Sequence, residues 1–156
     1  MKETIQLDEL DRRILRALQG DADLSQVALA EQVGLSSASC WRRIQMLEAK
    51  GVLLKSVRLL DARRVGRGVN VLCHVRINSH APESRATFER FVAGRAEIME
   101  CYSMSGEWDY LLRVVVADVA DYERFLMRDL LAHPRVATAS SHFALSQVKY
   151  TTALPI

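Results

Sequence analysis

The sequence predicts an α+β protein in two parts: a trihelical N-terminal third, then a β-α-β-β-α-β run that folds as an antiparallel sheet with two helices on one face. Three observations carry this. Apolar residues recur at helical spacing as far as Leu47, they switch to period two from Val71, and cap and stop signals divide both stretches into short elements.

Leu7, Leu10, Ile14, Leu15 and Leu18 share one helical face, with Asp8 as N-cap and Gly20 as stop. Ser25 caps a second helix, in which Val27, Leu29, Ala30 and Val33 are apolar and which ends at Gly34, where a positive φ costs little. Only Gly34 and Leu35 intervene before Ser36 caps a third helix. Its Cys40, Ile44 and Leu47 form an i, i+4, i+7 face that stops at Gly51. Residues 52–60 read as a strand with Lys55 and Arg58 on its outer side, a wing or a linking strand. The Arg- and Gly-rich residues 61–68 mark the boundary between an N-terminal domain, 1–60, and a C-terminal domain, 69–156.

Val71, Cys73, Val75 and Ile77 alternate with His74, Arg76 and Asn78 as a half-buried strand. Pro82 opens a helix with Phe88, Phe91 and Val92 on its apolar side, ending near Gly94. Residues 98–104 form a second strand and residues 105–108 a turn. Residues 110–117 are so continuously apolar that they belong at the centre of the sheet. Asp118 caps a helix with Val119, Tyr122, Leu126 and Leu130 on one side and Pro134 just past its end, and residues 136–148 supply the last strand. This order is the split βαβ, ferredoxin-like arrangement, whose uncovered sheet face is apolar enough to need a partner.

Composition narrows the setting. The chain has 156 residues, 49% of them apolar, and two domains of roughly 60–90 residues bury too little surface to be comfortable alone, so self-association is expected. No run of about 18 uncharged apolar residues occurs, and the first nine residues hold acids rather than a basic stretch before an apolar block, which argues against membrane spanning and secretion. Cys40, Cys73 and Cys101 have no close pair and suit neither a disulfide framework nor a metal knuckle, so a reducing cytoplasm is expected and no cofactor is implied.

The net charge is only +2, but it is unevenly spread: residues 1–41 hold four basic and seven acidic side chains, residues 42–68 eight and two, and residues 69–156 nine and ten. A basic block that starts within a helix and runs into a strand is where a DNA-facing surface needs counter-charge for phosphates. Two short helices joined by a turn, the second capped by serine and followed by that block, describe a winged helix-turn-helix on spacing, although trihelical packing modules share the pattern.

With Cys40, Ile44 and Leu47 facing inward, Ala38, Arg42 and Gln45 lie opposite, and Ser37 and Ser39 project from the first turn. Arg42 and Gln45 are the candidates for reading guanine and adenine edges, and the amides at the Ser36 cap are candidates for holding phosphate. Arg43 sits nearer the packed face, either as a DNA contact or as the partner of Glu48 or another carboxylate. Trp41 reads as half-buried packing. Lys55, Arg58, Arg63 and Arg64 suit the DNA backbone, or equally a solvated loop.

In the second domain the turn from Gly106 to Asp109 leaves amides that can hold a carboxylate, while a nearby acid or carbonyl can take an ammonium group. A free amino acid has that chemistry. The alternative is that Gly106 merely makes the hairpin and Asp109 closes it.

Leu7-Asp8 with Asp11, Ile14 and Leu15, then Leu29-Ala30-Glu31, Val33-Gly34-Leu35-Ser36, Cys40 with Arg43, Leu47-Glu48 and Gly51-Val52 together resemble the Lrp/AsnC family of leucine-responsive regulators. Met104-Ser105-Gly106-Glu107-Trp108-Asp109-Tyr110-Leu111-Leu112, with Val148-Lys149 and Leu154-Pro155, is similar to that family's effector-binding domain, so the resemblance spans both halves. It implies a transcription regulator with a winged helix-turn-helix that binds double-stranded DNA. The implied C-terminal ferredoxin-like βαββαβ domain mediates dimerisation and effector binding, taking amino acids at this turn between dimers. It implies homodimers that assemble further, into octamers for example, and it adds Met104, Trp108, Tyr110, Ala139 and Ser141 to Gly106 and Asp109 as effector candidates.

Three features depart from the family pattern. Ser37, Ala38 and Ser39 stand where prolines are frequent, Leu24 where a basic residue is common, and Ala139 and Ser141 where threonines alternate. The rival class is an enzyme on the same scaffold, of the sirohaem decarboxylase kind, with His74, His80, His133 and His142 as first suspects. His74 and His142 lie on strands, His80 and His133 read as solvent-facing caps, and no metal spacing, nucleophile elbow or phosphate loop supports catalysis.

Overall fold

Asp8 opens the first helix through a reciprocal capping box. Its carboxylate accepts from the Asp11 amide at 2.8 Å, and the Asp11 carboxylate accepts from the Asp8 amide at 3.3 Å. The computed structural model describes residues 5–156; residues 1–4, which the sequence places in the N-terminal domain, lie outside the described residues.

The chain divides into two compact units, Met1–Arg58 together with Lys149–Ile156, and Leu59–Val148. In the first, α1 (Glu9–Gly20), α2 (Gln26–Val33) and α3 (Ser37–Ala49) close on a core of Ile14, Leu15, Leu29, Ala30, Val33, Cys40 and Leu47. The turn between α2 and α3 depends on Gly34, whose φ of 71° lets the Leu35 amide reach back to the Ala30 carbonyl at 2.9 Å. Ser25 and Ser36 cap the two helices through their hydroxyls, as the sequence predicts.

One charged residue ties this unit together. Arg43 Nη1 donates to Asp11 at 2.6 Å and to Asp8 at 2.8 Å, so α3 is bolted to the capping box of α1, and Asp11 is buried beneath the contact.

Residues 52–60 are not a strand. They leave α3 as an irregular segment, because no segment among the described residues pairs with them, and Leu54, Val57, Leu59 and Leu60 are exposed. The residues after Val148 also differ from expectation. The last strand ends at Phe143, and the end of the chain joins the helical unit: Gln19 Nε2 donates to the Leu154 carbonyl at 3.2 Å, the Leu154 amide returns to Gln19 Oε1 at 2.6 Å, and Ile156 packs on the helical core.

The second unit is a four-stranded antiparallel sheet in the order β2-β3-β1-β4, built from β1 (Val69–Ile77), β2 (Ile98–Ser103), β3 (Tyr110–Val116) and β4 (Val136–Phe143). As its apolar run predicts, β3 is a central strand. Its helices α4 (Pro82–Ala93) and α5 (Val119–Phe125), the latter extended by a wider π-type turn over Leu126–Leu130, pack on one face. Val71, Cys73, Val75, Leu112 and Val114 meet Phe88, Val92, Tyr122, Phe125 and Leu130 there. Neither α4 nor α5 covers the other face, which carries Leu72, His74, Arg76, Leu111 and Arg113. This is the ferredoxin-like arrangement expected. His133 is not a solvent-facing cap: its ring lies 4.6 Å from Phe91, and burial first, then Arg135, holds its imidazole below the ordinary range.

Arg43→Ala is expected to destabilise the helical unit by about 2 kcal/mol, because it strands the buried Asp11 carboxylate, and urea denaturation measures the loss. The Asp11 amide first, and Arg43 second, hold the Asp8 carboxyl below the usual carboxylate range. Its folded-state value lies below its unfolded one, so this stabilisation is complete above about pH 4 and disappears as pH falls through the depressed value. The pH dependence of the same unfolding transition is expected to flatten in that acid range in Asp8→Asn.

Candidate nucleic-acid interface and effector turn

The first turn of α3 is polar because the sequence makes it so. Ser36 Oγ accepts from the Ser39 amide at 3.3 Å and donates to Ser39 Oγ at 3.0 Å, while the Ser37 carbonyl accepts from Gln26 Nε2 of α2 at 3.2 Å. That bond links the two helices of the motif. Beyond it, Arg42 and Gln45 are exposed, Arg42 reaching Ser39 Oγ at 3.4 Å and Gln45 donating to Glu48 at 2.9 Å. Both side chains lie on the outward face of the helix.

The basic block is less free than its sequence suggests. Arg43 is taken by Asp8 and Asp11, Arg58 by Asp23, Arg64 by Asp61 at 3.6 Å and Arg67 by Asp121 at 3.3 Å. Among the described residues, Arg42, Lys50, Lys55 and Arg63 make no carboxylate contact. Lys50, at the C-cap of α3, was not among the residues singled out from sequence; its place in the basic block was the available signal. Arg43 goes to the ion-pair alternative, with Asp8 and Asp11 rather than Glu48 as partners. Arg43 follows Arg42 by one residue, which turns it some 100° towards the packed side.

The effector candidates do not share one pocket within the chain. Gly106 sits at the hairpin tip with φ of 108°, and Met104 is exposed beside it. Among the described residues the amides of Ser105, Gly106, Glu107 and Trp108 have no acceptor within the chain, while the Met104 amide reaches the Asp109 carbonyl at 2.8 Å. Asp109 closes the hairpin onto β1: its Oδ2 accepts from the Ile77 amide at 2.8 Å, where the pairing of β1 with β4 slips, and its own amide donates to the Val75 carbonyl at 3.0 Å.

Trp108 turns to the uncovered sheet face. It lies 5.7 Å from the His74 ring and 5.2 Å beneath the Arg76 guanidinium, which also binds Glu107 at 2.9 Å. His142 completes that cluster, 5.5 Å from His74. Tyr110, Ala139 and Ser141 face the opposite way. Tyr110 is buried against Phe88, with its hydroxyl 2.8 Å from Glu89; burial first and that carboxylate second push its phenol up. Register puts Ala139 opposite Val75 and Ser141 opposite Cys73, so Ser141 Oγ meets the Tyr122 hydroxyl at 2.5 Å under the helices. Strand period two decides this, and the sequence alone does not give the register.

Among the described residues no three His, Cys, Asp or Glu side chains are placed to hold a metal ion, and no helix is long and apolar enough to cross a membrane. Cys40 and Cys73 are buried in the two cores, and Cys101 is exposed on β2.

A helix-turn-helix reader joined to a ferredoxin-like sheet with an open turn defines a two-domain regulator of the DNA-binding, ligand-sensing class. Residues 7–53 match the model of the winged helix-turn-helix DNA-binding domain and residues 70–154 that of the Lrp/AsnC ligand-binding domain, and the chain belongs to the Lrp/AsnC family. It is 40% identical over 150 residues to the DNA-binding transcriptional activator DecR of Escherichia coli, covering 96% of this chain and 99% of that one. It is 37% identical to the glutamate uptake regulatory protein of Zymomonas mobilis, over 96% of this chain and 91% of the relative. Among solved structures, an AsnC family regulator of Agrobacterium tumefaciens superposes with a TM-score of 0.91 at 46% identity, over 96% of this chain and 97% of that one. A Neisseria meningitidis regulator in complex with L-Met superposes at 0.92 with 35% identity, over the same shares.

Asp109→Ala is expected to cost about 1–3 kcal/mol, because the Ile77 amide is left without its acceptor, and to lower the thermal midpoint. Asp109→Asn keeps an acceptor oxygen and is expected to lose less in the same melt.

Proposed function

We propose that the protein is a sequence-specific DNA-binding transcriptional regulator, acting in the cytoplasm, whose assembly and DNA binding respond to a small amino-acid effector. The observation that carries this reading is the outward strip of α3, where Arg42 and Gln45 are exposed over a serine-capped first turn in a chain whose curated relatives are transcription regulators. Arg42 and Gln45 read base edges, the free amides of the Ser36 cap hold a phosphate, and Lys55 adds backbone charge. Arg43 sets the helix rather than touching DNA.

The effector binds at the Met104–Asp109 turn, its carboxylate on the unpaired amides and its ammonium on an acid such as Glu107. The L-Met complex of the Neisseria relative supports an amino acid as the ligand class. Two chains pair through their uncovered sheet faces, which carry Leu72, Leu111 and Val115 together with two buried polar atoms lacking partners, Asn70 Oδ1 and His74 Nδ1. Dimers assemble further, and the effector biases that assembly by binding its states unequally. The enzymatic alternative has no observation in its favour.

Selection of bound duplexes from a random DNA pool, with and without each amino acid, tests the reading; a chain that enriches no sequence and ignores DNA at low salt overturns it. On the selected duplex, Arg42→Ala is expected to weaken binding by about 1–3 kcal/mol and relax preference at one base pair. Lys55→Ala is expected to weaken all sequences alike and reduce the salt slope by about one, measured by titration at several salt concentrations. Sedimentation with and without ligand is expected to show a change in the dimer-to-oligomer balance.

A further inference from the structure

The outward strip of α3 also holds a large, mostly apolar side chain. Trp41 is 50% exposed and stands outside the apolar cluster that Ile14, Leu29 and Leu47 build. No ring or guanidinium stacks on it among the described residues. The other tryptophan, Trp108, is by contrast packed between His74 and Arg76. An indole brings more apolar surface to a core or an interface than almost any other side chain, and half of this one is left in water at mid-helix.

Position says which partner. At about 100° per residue, Trp41, Gln45, Ala38 and Arg42 fall in that order within an arc of about 100° on the side away from Cys40 and Leu47. Trp41 is therefore Gln45's neighbour, about 40° round the helix and one turn nearer the N-terminus. The N-terminal turns of a recognition helix are the ones that meet base edges. Glu48, the acid nearest this strip, is engaged by Gln45 at 2.9 Å. In a major groove the apolar feature on a base edge is the C5-methyl of thymine, and apolar side chains read it. A glutamine that grips adenine beside an indole that covers a thymine methyl is a compatible pair of contacts.

We infer that Trp41 is a specificity-determining residue that reads a thymine through its C5-methyl group. The inference rests on α3 being the recognition helix. A neutral ring neutralises no phosphate, so its signature is a sequence preference with an unchanged salt slope, unlike that of Lys55.

The test uses the full-length protein and the duplex it selects, in which each thymine is replaced in turn by uracil, a change that removes only the methyl group. Wild-type protein is expected to lose three- to tenfold in affinity at one position of each half-site and little elsewhere. Trp41→Ala is expected to bind the thymine duplex three- to tenfold more weakly and to be indifferent to uracil at that position, with the slope of log K against log salt as in wild type. Trp41→Leu, which keeps an apolar side chain of good helix propensity, is expected to retain part of the thymine preference. The wild-type series needs no variant to fold: uniform affinity for every uracil duplex overturns the inference. So does a Trp41→Ala protein with wild-type affinity and wild-type thymine preference, or one that loses affinity for all sequences with a shallower salt slope. Each of these leaves the DNA reading standing. A wild-type chain that ignores DNA at low salt overturns both together.

Discussion

The contact of Arg43 with Asp8 and Asp11 sets the direction in which α3 presents its side chains. Asp11 lies under the guanidinium and is shielded from water, so rotating α3 about its axis leaves a buried carboxylate without a counter-charge. Arg42 and Gln45 face outward because their neighbour is held inward. The same two acids cap α1, so one small cluster starts one helix and orients another. Gln26, reaching the Ser37 carbonyl, restrains the remaining helix of the motif from the other side. A surface held in this way is preorganised and loses little freedom on contact with a rigid partner.

In the sheet the corresponding constraint is period two. Once Cys73 and Leu112 go under the helices, His74, Arg76, Leu111 and Arg113 must lie on the uncovered side. The hairpin loop then hands Trp108 to that side and Tyr110 to the other. The Met104–Asp109 turn and the uncovered sheet face are thus linked through two residues, Trp108 and Arg76, the second of which also holds Glu107 in the turn.

Local signals in the sequence were enough wherever a single residue decides a local event. Asp8, Ser25, Ser36 and Asp118 begin helices, Gly34 ends one, and Pro82 opens one, each for reasons contained within three or four residues. Readings failed where a partner decides. Residues 52–60 have a strand's alternation but no ladder to join. Ala139 and Ser141 carry no local mark of facing inward, because only the register of β4 against β1 determines it. Arg43 could not be assigned its acids from spacing, since Asp8 and Asp11 are more than thirty residues away in the chain. His133 looked like a helix border and lies instead against two phenylalanines supplied by α4.

The final residues carry a consequence for dissecting the molecule. After β4 the chain returns to the helical unit, where Gln19 grips the backbone of Leu154 from both sides and Ile156 covers part of the core. The helical unit is thus discontinuous in sequence, with the sheet unit inserted into it. A fragment cut after Arg58 would carry all three helices yet lack its own lid, and a proteolytic nick near Val148 would unseat a piece of the helical unit while sparing every residue of α3.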